Sequence, residues 1–318
     1  MPFDLMPSCA AWWPILLGGL AFPIVADAAT EDRRTSELIA RLRADPANLR
    51  CEQAFASELD SPSQVQPPAG LVVVLVPGFG YRSLAGNGAD LARPAQALRE
   101  MGLQVETAPL REASPVEENA TLLTEYLRQH PARQLWLVSA SSGGPTAAEA
   151  ISRLTARGEA GRIICWVNIG GLLHGTPLAD HALRWPVSWL ARSLFFVRGW
   201  KFATIASLTT ARSRTRAAAW QHPESLQALN LVGIPQPDEV SARARDGYRK
   251  LRDLGPNDGL TLIEDALAKN APTLVMTGCD HFLLAPDIGR RTQAIARLLL
   301  AGTRPDAVPT NRTAEIGP

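Results

Sequence analysis

Continuous apolar segments recur along the chain between residues 71 and 278, each bounded by glycine, proline or polar turn residues. The segment Leu71–Val76 is rich in β-branched residues, which is typical of a strand buried on both faces of a parallel sheet. Further strands are predicted at Leu103–Thr107, Gln134–Ala140, Arg162–Ile169, Leu229–Ile234 and Pro272–Gly278.

Helical patterns separate these strands. They are predicted at Glu31–Arg43, at Asp90–Met101, from Ser114 onward, from the end of the third strand to Arg157, and at Ile288–Leu300. The quartet Ser114-Pro115-Val116-Glu117 predicts a capping box with Pro115 at the first helical position. Strands that alternate with helices pair in parallel, so the pattern predicts an α/β fold with a doubly wound, mostly parallel sheet.

An insertion is predicted between the fourth and fifth strands, at about 181–228. Its apolar residues at helical spacing are Val187, Leu190, Ala191, Leu194 and Phe195. Its charged residues from His181 to Pro223 are all basic: Arg184, Arg192, Arg198, Lys201, Arg212, Arg214 and Arg216. The apolar stretch is too short and too interrupted to span a membrane. The pattern favours a helical cap or lid with a basic rim suited to an anionic lipid surface, or alternatively a helix pair packed on the domain.

The segment Ser139-Ala140-Ser141-Ser142-Gly143 joins the third strand to the following helix. Small residues two positions before and after a serine at such a junction are typical of a nucleophile elbow, in which the serine hydroxyl is exposed at a strained turn. Ser141 is therefore the candidate nucleophile. Ser142 is the alternative register, and an ordinary polar turn is the alternative without chemistry.

A glycine-rich turn follows the first strand. An acyl-transfer site needs preorganised backbone donors for an oxyanion, and glycine allows the close backbone approach that this requires. The predicted donors are the N–H groups of Phe79 and Ser142, with Gly78, Gly80 and Gly143 as supporting turn residues. The turn lacks the glycine and lysine spacing of nucleotide-binding loops.

A histidine and a carboxylate complete the candidate site. His281 comes directly after the last strand, where a doubly wound sheet presents a general base to a serine on a central strand. Asp258 lies on an Asn-Asp-Gly turn between Ser141 and His281 in chain order, so it is the candidate partner of the imidazole. Asp280 is the weaker competitor for that role. Cys279 as the nucleophile is the other chemical interpretation.

The order of elbow serine, aspartate and histidine, after an early glycine turn, resembles the α/β-hydrolase superfamily. The turn Asn257-Asp258-Gly259-Leu260 is similar to the acid-bearing turn of bacterial lipases and esterases, and the segment His174–Asp180 is similar to one that follows the elbow region there. The resemblance covers roughly Leu71 to Leu300. Pro77 stands where that family often has a histidine.

The resemblance and the residues together imply a serine hydrolase that cleaves carboxylic esters, in particular lipid or acyl esters, through an acyl-enzyme. Such a site needs no cofactor and no metal ion. A thioesterase or acyltransferase would use the same residues. A catalytically silent binding protein on the same scaffold is the alternative from another class, motivated by Ser139 in place of the usual elbow glycine.

Composition and charge add the remaining expectations. The formal net charge is +1, which does not favour a nucleic-acid partner. An apolar run from Ala10 to Val25 is followed by Ala26-Asp27-Ala28, which predicts a signal peptide or N-terminal anchor at 1–28 and hence an exported, periplasmic or secreted protein. The catalytic domain is predicted at 29–303 and a tail at 304–318. The odd number of cysteines after the leader predicts no disulfide framework.

Overall fold

The computed structural model describes residues 28–84 and 86–302. The predicted leader up to residue 27 and the predicted tail at 304–318 lie outside these residues. Six parallel strands form one sheet in the order β2-β1-β3-β4-β5-β6. The strands are β1 Leu71–Val76, β2 Gln104–Thr107, β3 Gln134–Ala140, β4 Ile163–Ile169, β5 Gln227–Ile234 and β6 Thr273–Thr277.

Helices cover both faces of this sheet, which makes it a doubly wound α/β fold as the sequence predicts. They are α1 Ala28–Ala44, α2 Pro46–Asp60, α3 Ala92–Glu100, α4 Val116–Gln129, α5 Gly143–Ala156, α6 Pro177–Ala182, α7 Val187–Val197, α8 Ala203–Ser207, α9 Thr210–Ala218, α10 Arg245–Leu251 and α11 Ile288–Gly302. Within the described ranges, no helix is both long enough and apolar enough to cross a bilayer.

The central strand β1 shows why continuous apolar runs form this sheet. All six of its residues are buried. Val73 and Leu75 belong to the hydrophobic layer on one face, whereas Val72 and Val74 belong to the layer on the other face. Each face of a strand with parallel neighbours is covered by helices, so neither set of alternate residues has to be polar.

The sequence-based prediction missed helix α2. Its start carries a recognisable signal, because the side chain of Asp45 accepts a hydrogen bond from Ala47 N and Pro46 occupies the first turn. The predicted capping box at Ser114 is wrong. Helix α4 begins at Val116, so Pro115 is the N-cap residue, and Ser114 Oγ donates to Glu118 Oε2 instead.

We call residues 183–226, between α6 and β5, the cap. Helix α7 buries Val187, Ala191 and Phe195 but leaves Leu190 exposed, which corrects the predicted apolar face. Four cations of the predicted basic rim are paired with acids outside the cap. These pairs are Lys201 with Glu118, Arg212 and Arg216 with Glu117, and Arg214 with Asp265.

The three cysteines of the described ranges are unpaired. Cys165 and Cys279 are both buried in the hydrophobic layer that also contains Trp136. Burial raises the pKa of the Cys279 thiol, and the resulting neutral thiol is a poor nucleophile. Cys279 therefore has a packing role, and the interpretation of Cys279 as a nucleophile is not supported.

Candidate active site

Ser141 lies at the sharp turn between β3 and α5. Its φ is 53°, a left-handed conformation that is costly for a non-glycine residue and is typical of strained functional turns. Its N–H donates to Ile169 O at 3.1 Å, and its carbonyl accepts from Gly144 N at 3.0 Å. Ser142 has an ordinary helical φ of −63°. The apex of the turn is therefore Ser141, in the register that the sequence favours.

Two glycines allow the turn to be this tight. A Cβ at Gly143 would lie 2.2 Å from Val76 O, and a Cβ at Gly78 would lie 2.9 Å from Ser141 Cβ. No side chain fits at either distance without moving the backbone. The supporting roles predicted for Gly78 and Gly143 thus have a steric basis. Gly80, with a φ of 69°, directs the turn after β1 and donates from its N–H to Glu112 O.

Ser139 occupies the position where the elbow pattern usually has glycine. Its side chain is fully buried between β3 and β4. The hydroxyl accepts a hydrogen bond from Trp166 Nε1 at 2.9 Å and donates to Val167 O at 3.3 Å. The buried indole N–H needs an acceptor, and Ser139 supplies one. The departure from the pattern is therefore accommodated by a specific partner, and Ser141 retains its strained conformation.

The structure brings Asp258 and His281 together. His281 Nδ1 lies 2.7 Å from Asp258 Oδ2, and His281 N donates to Asp258 O at 2.8 Å. Both side chains are almost inaccessible, with exposed fractions of 4% for His281 and 2% for Asp258. The second oxygen of Asp258 accepts from Leu260 N at 2.9 Å and from Thr261 N at 2.8 Å. The turn therefore orients the carboxylate, and the carboxylate orients the imidazole.

The electrostatic surroundings of His281 favour its protonated form. Burial alone would lower the pKa of His281, but the charge of Asp258 and the hydrogen bond to it outweigh burial, with a further contribution from Asp280. The result is a pKa above the ordinary histidine value. Nε2 of His281 is buried and has no hydrogen-bond partner within the described residues. That nitrogen remains available to a reacting group.

Asp280, the competing carboxylate, has a different set of partners. Its Oδ2 accepts from Ser241 N at 2.8 Å and its Oδ1 accepts from Phe282 N at 3.0 Å. These bonds fix the loop that carries His281. Asp258 is thus the carboxylate in contact with the imidazole.

The turn after β1 lies beside Ser141. The N–H groups of Gly78 and Gly80 are used within the fold, since they donate to Ala89 O and Glu112 O at 2.9 Å each. Within the described part of the chain, the N–H groups of Phe79 and Ser142 donate to no protein acceptor. The Phe79 ring packs against the cap, with its centroid 5.8 Å from that of Phe195 and 5.0 Å from that of Trp200.

A cavity of about 150 Å³ contains both Ser141 and His281 in its lining. Most of the remaining lining is aliphatic or aromatic, and it comes from the cap, from α6 and from the loops after β1, β3, β4, β5 and β6. The apolar lining residues include Leu172, Leu178, Phe195, Ile205, Leu208 and Phe282. Among the described residues, no group of three or more His, Cys, Asp or Glu side chains could hold a metal ion.

Gly170 is a site residue that the sequence-based prediction missed. It follows β4 with a φ of 51°, and a Cβ there would lie 3.3 Å from Asp258 Oδ2 and 3.5 Å from His281 Nδ1. The paired glycines Gly170 and Gly171 directly after a strand were a usable signal for close backbone approach. Asn87, whose Nδ2 donates to Phe79 O at 3.4 Å, had no comparable signal.

No protein-family model and no functionally curated protein matches this sequence. Among solved structures, the chain is similar to the mature form of a lipase from Bacillus licheniformis, with 24% identity over 76% of this chain and 96% of that chain and a TM-score of 0.60. It is also similar to a metagenomic carboxyl esterase, with 18% identity over 89% of this chain and 96% of that chain and a TM-score of 0.59. The chain has the α/β-hydrolase fold.

Proposed function

We propose that this chain, whose fold is that of the α/β-hydrolases, cleaves carboxylic esters by nucleophilic catalysis. Ser141 is the nucleophile, His281 the general base and acid, and Asp258 the group that orients the imidazole. The observation that carries this proposal is the 2.7 Å contact between Asp258 and His281, with Nε2 of His281 left unpartnered in the cavity that Ser141 also lines. Fold alone would not carry it, since one fold hosts many activities.

The first half-reaction follows from these roles. Ser141 Oγ attacks the ester carbonyl carbon while its proton moves to His281 Nε2. The carbon–oxygen bond to the alcohol then breaks, and the proton on Nε2 passes to the departing alkoxide. Ser141 is left as an acyl ester, and an alcohol is released.

In the second half-reaction, water hydrolyses the acyl-enzyme by the same proton transfers. His281 Nε2 takes a proton from a water molecule, whose oxygen attacks the acyl carbon. The bond to Ser141 Oγ breaks, Oγ recovers the proton, and the carboxylic acid leaves. The Asp258 carboxylate stabilises the imidazolium in both half-reactions. The elevated pKa of His281, which is due to Asp258 outweighing burial, supports this assignment.

The N–H groups of Phe79 and Ser142 are the proposed donors to the oxyanion of each tetrahedral intermediate. Phe79 is in the turn that lies beside Ser141, and Ser142 follows Ser141 in the chain. Neither N–H has a protein acceptor in the described ranges. Donors that are fixed before reaction need no reorganisation when charge develops, and removing one such donor costs about 10²–10³ in kcat in a well-studied hydrolase.

The apolar cavity supports an ester with a hydrocarbon acyl group. Leu172, Ile205 and Leu208 offer the chain no hydrogen-bonding group in their side chains, so they select by shape and burial. The similar structures are a lipase and a carboxyl esterase by name, and these names agree with such a substrate. Ser139, the residue that motivates the silent-scaffold alternative, accepts a hydrogen bond from Trp166 while Ser141 keeps its positive φ, which supports the catalytic proposal.

Labelling with a fluorophosphonate tests the proposal directly, since phosphorus captures an activated serine without requiring the natural substrate. We expect a stoichiometric adduct on Ser141, located by mass spectrometry of peptides, and no adduct after Ser141→Ala. Heat-unfolded protein is the control for nonspecific reaction. A folded protein that forms no adduct, or forms it at another serine, would exclude the proposed mechanism.

A further inference from the structure

The outward side of helix α7 and the segment directly before it expose several large apolar side chains. The exposed fractions are 84% for Trp185, 71% for Trp189, 85% for Phe196 and 71% for Val197. With Leu190, these are five of the eight large hydrophobic residues that the described part of the chain leaves exposed. Single exposed apolar residues are ordinary, but a contiguous aromatic cluster marks an interaction surface.

Helical geometry separates this cluster from the buried side of α7. Trp189 and Phe196 are seven residues apart, which is two turns, so they project from the same side. Val187, Ala191 and Phe195 are buried on the other side, and Phe195 lines the cavity that contains Ser141. Helix α7 therefore has one face toward the candidate active site and one face toward solvent.

The charges near the outward face are positive. Arg184, Arg192 and Arg198 have no carboxylate partner within the described residues, unlike the four cap cations that pair with Glu117, Glu118 or Asp265. The guanidinium of Arg192 lies over the Phe202 ring at 4.4 Å. Arg198 lies over the Trp200 ring at 5.4 Å, on the inward side, because Trp200 packs against Phe79 and Phe195. No acidic residue occurs between His181 and Pro223 to neutralise these arginines.

We propose that this outward face, formed by Trp185, Trp189, Phe196 and Val197 with Arg184 and Arg192, docks on an anionic lipid surface. Aromatic rings enter the headgroup region while arginines contact lipid phosphates. A symmetric dimer through the same face would place the arginines of both copies together without an acid to balance them, so a second copy fits less well. The proposal goes beyond ester cleavage and does not depend on turnover.

Vesicle flotation with the full-length chain tests the proposal. We expect binding to vesicles of equimolar phosphatidylglycerol and phosphatidylcholine, and weaker binding to phosphatidylcholine alone. Trp189→Ser combined with Phe196→Ser should reduce affinity for the anionic vesicles about tenfold or more, because it removes most of the inserted apolar area. Arg192→Gln should reduce it roughly fivefold.

The matched control is Leu49→Ser combined with Leu254→Ser, which removes two exposed leucines far from α7 in sequence. It should leave vesicle binding unchanged. The thermal midpoints of all variants show whether they are folded. Flotation of Ser141→Ala should equal that of the parent chain, so a failure of the proposed catalysis is distinguishable from a failure of this proposal.

A fluorescent label on α7 shows whether this face itself contacts lipid, rather than another segment of the chain. Ser193 is exposed on α7, and an environment-sensitive dye on Ser193→Cys should shift to shorter wavelength when anionic vesicles are added. The labelled parent chain gives the background from the native cysteines. The proposal would be overturned if the dye spectrum did not change on addition of anionic vesicles, or if self-association already shielded the dye from water without lipid. It would also be overturned if the leucine control lost as much vesicle binding as Trp189→Ser with Phe196→Ser.

Discussion

The ring of Phe79 stacks on the ring of Phe195, with centroids 5.8 Å apart and an interplanar angle of 19°. Phe79 lies in the turn after β1, and its N–H is a proposed oxyanion donor, whereas Phe195 belongs to the cap. Trp200, also in the cap, packs edge-on against both rings. The cap is thus in direct contact with the turn after β1, so we expect the position of the cap and the geometry of the proposed oxyanion donors to be coupled.

Phe195→Leu should lower kcat on a small soluble ester, because a smaller side chain no longer holds the Phe79 turn. We expect a loss of about tenfold to a hundredfold, which is a fraction of the effect of deleting an oxyanion donor. Steady-state kinetics with p-nitrophenyl acetate measure it. Phe196→Leu, one residue along and exposed, is the matched control and should leave kcat within a factor of two. Equal effects of both changes would contradict the coupling.

Ser141→Ala should reduce ester hydrolysis by about a millionfold, as deletion of the nucleophile does in well-studied serine enzymes. Ser142→Ala should have a mild effect, since the proposed contribution of Ser142 is its backbone N–H. Both variants should keep the thermal midpoint of the parent chain within a few degrees. If Ser142→Ala were the inactive one, the elbow would be shifted by one residue relative to this structure.

The pH dependence of kcat/KM should report His281. Only the neutral imidazole accepts a proton from Ser141, and Asp258 outweighs burial to raise the pKa of His281 above 6.5. Activity should therefore fall as pH decreases through a value above 6.5. The same pair stabilises the fold fully below pH 6.5, and this contribution is lost as pH rises through the elevated pKa. Rates and denaturation midpoints between pH 5 and 9 measure both effects.

Asp258→Asn tests whether Asp258 is the group that raises the pKa of His281. Without the carboxylate, burial dominates, so the pKa of His281 should drop below 6.5 and the acidic limb should move to lower pH. The rate at the optimum should fall about ten-thousandfold, because the imidazole loses its orientation and charge partner. An unchanged acidic limb would mean that another group titrates in the profile.

Ser139→Ala should destabilise the protein and leave the elbow chemistry nearly intact. The change leaves the buried Trp166 indole N–H without its acceptor, which costs about 1–3 kcal/mol. Urea denaturation measures the loss, and Ser139→Ala with Trp166→Phe should recover part of it because both polar partners are then absent. A full loss of activity at unchanged stability would instead place Ser139 in the chemistry.

The sequence predicts the central strands within a residue or two because their signal is local. A continuous β-branched run such as Leu71–Val76 has to be buried on both faces, and the observed strand has the same bounds. Chain order and small-residue spacing also point to Ser141, Asp258 and His281, since the elbow and the acid-bearing turn are each encoded in a few adjacent residues.

The contacts of the cap illustrate what the sequence alone does not predict. Glu117 was assigned to a capping box from its local spacing, but it binds Arg212 and Arg216, which lie more than ninety residues away. Such pairs depend on where the whole chain brings the helices. The sequence likewise shows the basic residues of the cap but not their partners, and Lys201 and three arginines are paired with acids outside the cap.

Glu117→Gln should destabilise the protein more than an ordinary surface change. The Arg216 side chain is only 7% exposed, and Glu117 Oε1 lies 3.1 Å from its Nη1. Removing Glu117 leaves the charge of a buried arginine uncompensated, but Glu117 itself is one-third exposed, so we expect a loss of about 1–3 kcal/mol in unfolding free energy, between the values for surface and buried pairs. Glu125→Gln is the matched control, because Glu125 pairs with Arg128 on the surface of the same helix and such pairs contribute about 0–1 kcal/mol.

The ion pair of Arg216 with Glu117 also anchors the cap, so the same variant can be tested by its kcat. Arg216 donates to Ser207 O as well, so it joins helices α8 and α9 to the start of α4. Loosening this anchor should disturb the Phe195 contact with Phe79 and lower kcat on a soluble ester, whereas Glu125→Gln should not. If Glu117→Gln and Glu125→Gln have equal effects on denaturation and on kcat, the pair of Glu117 with Arg216 neither stabilises the cap nor positions it over Ser141.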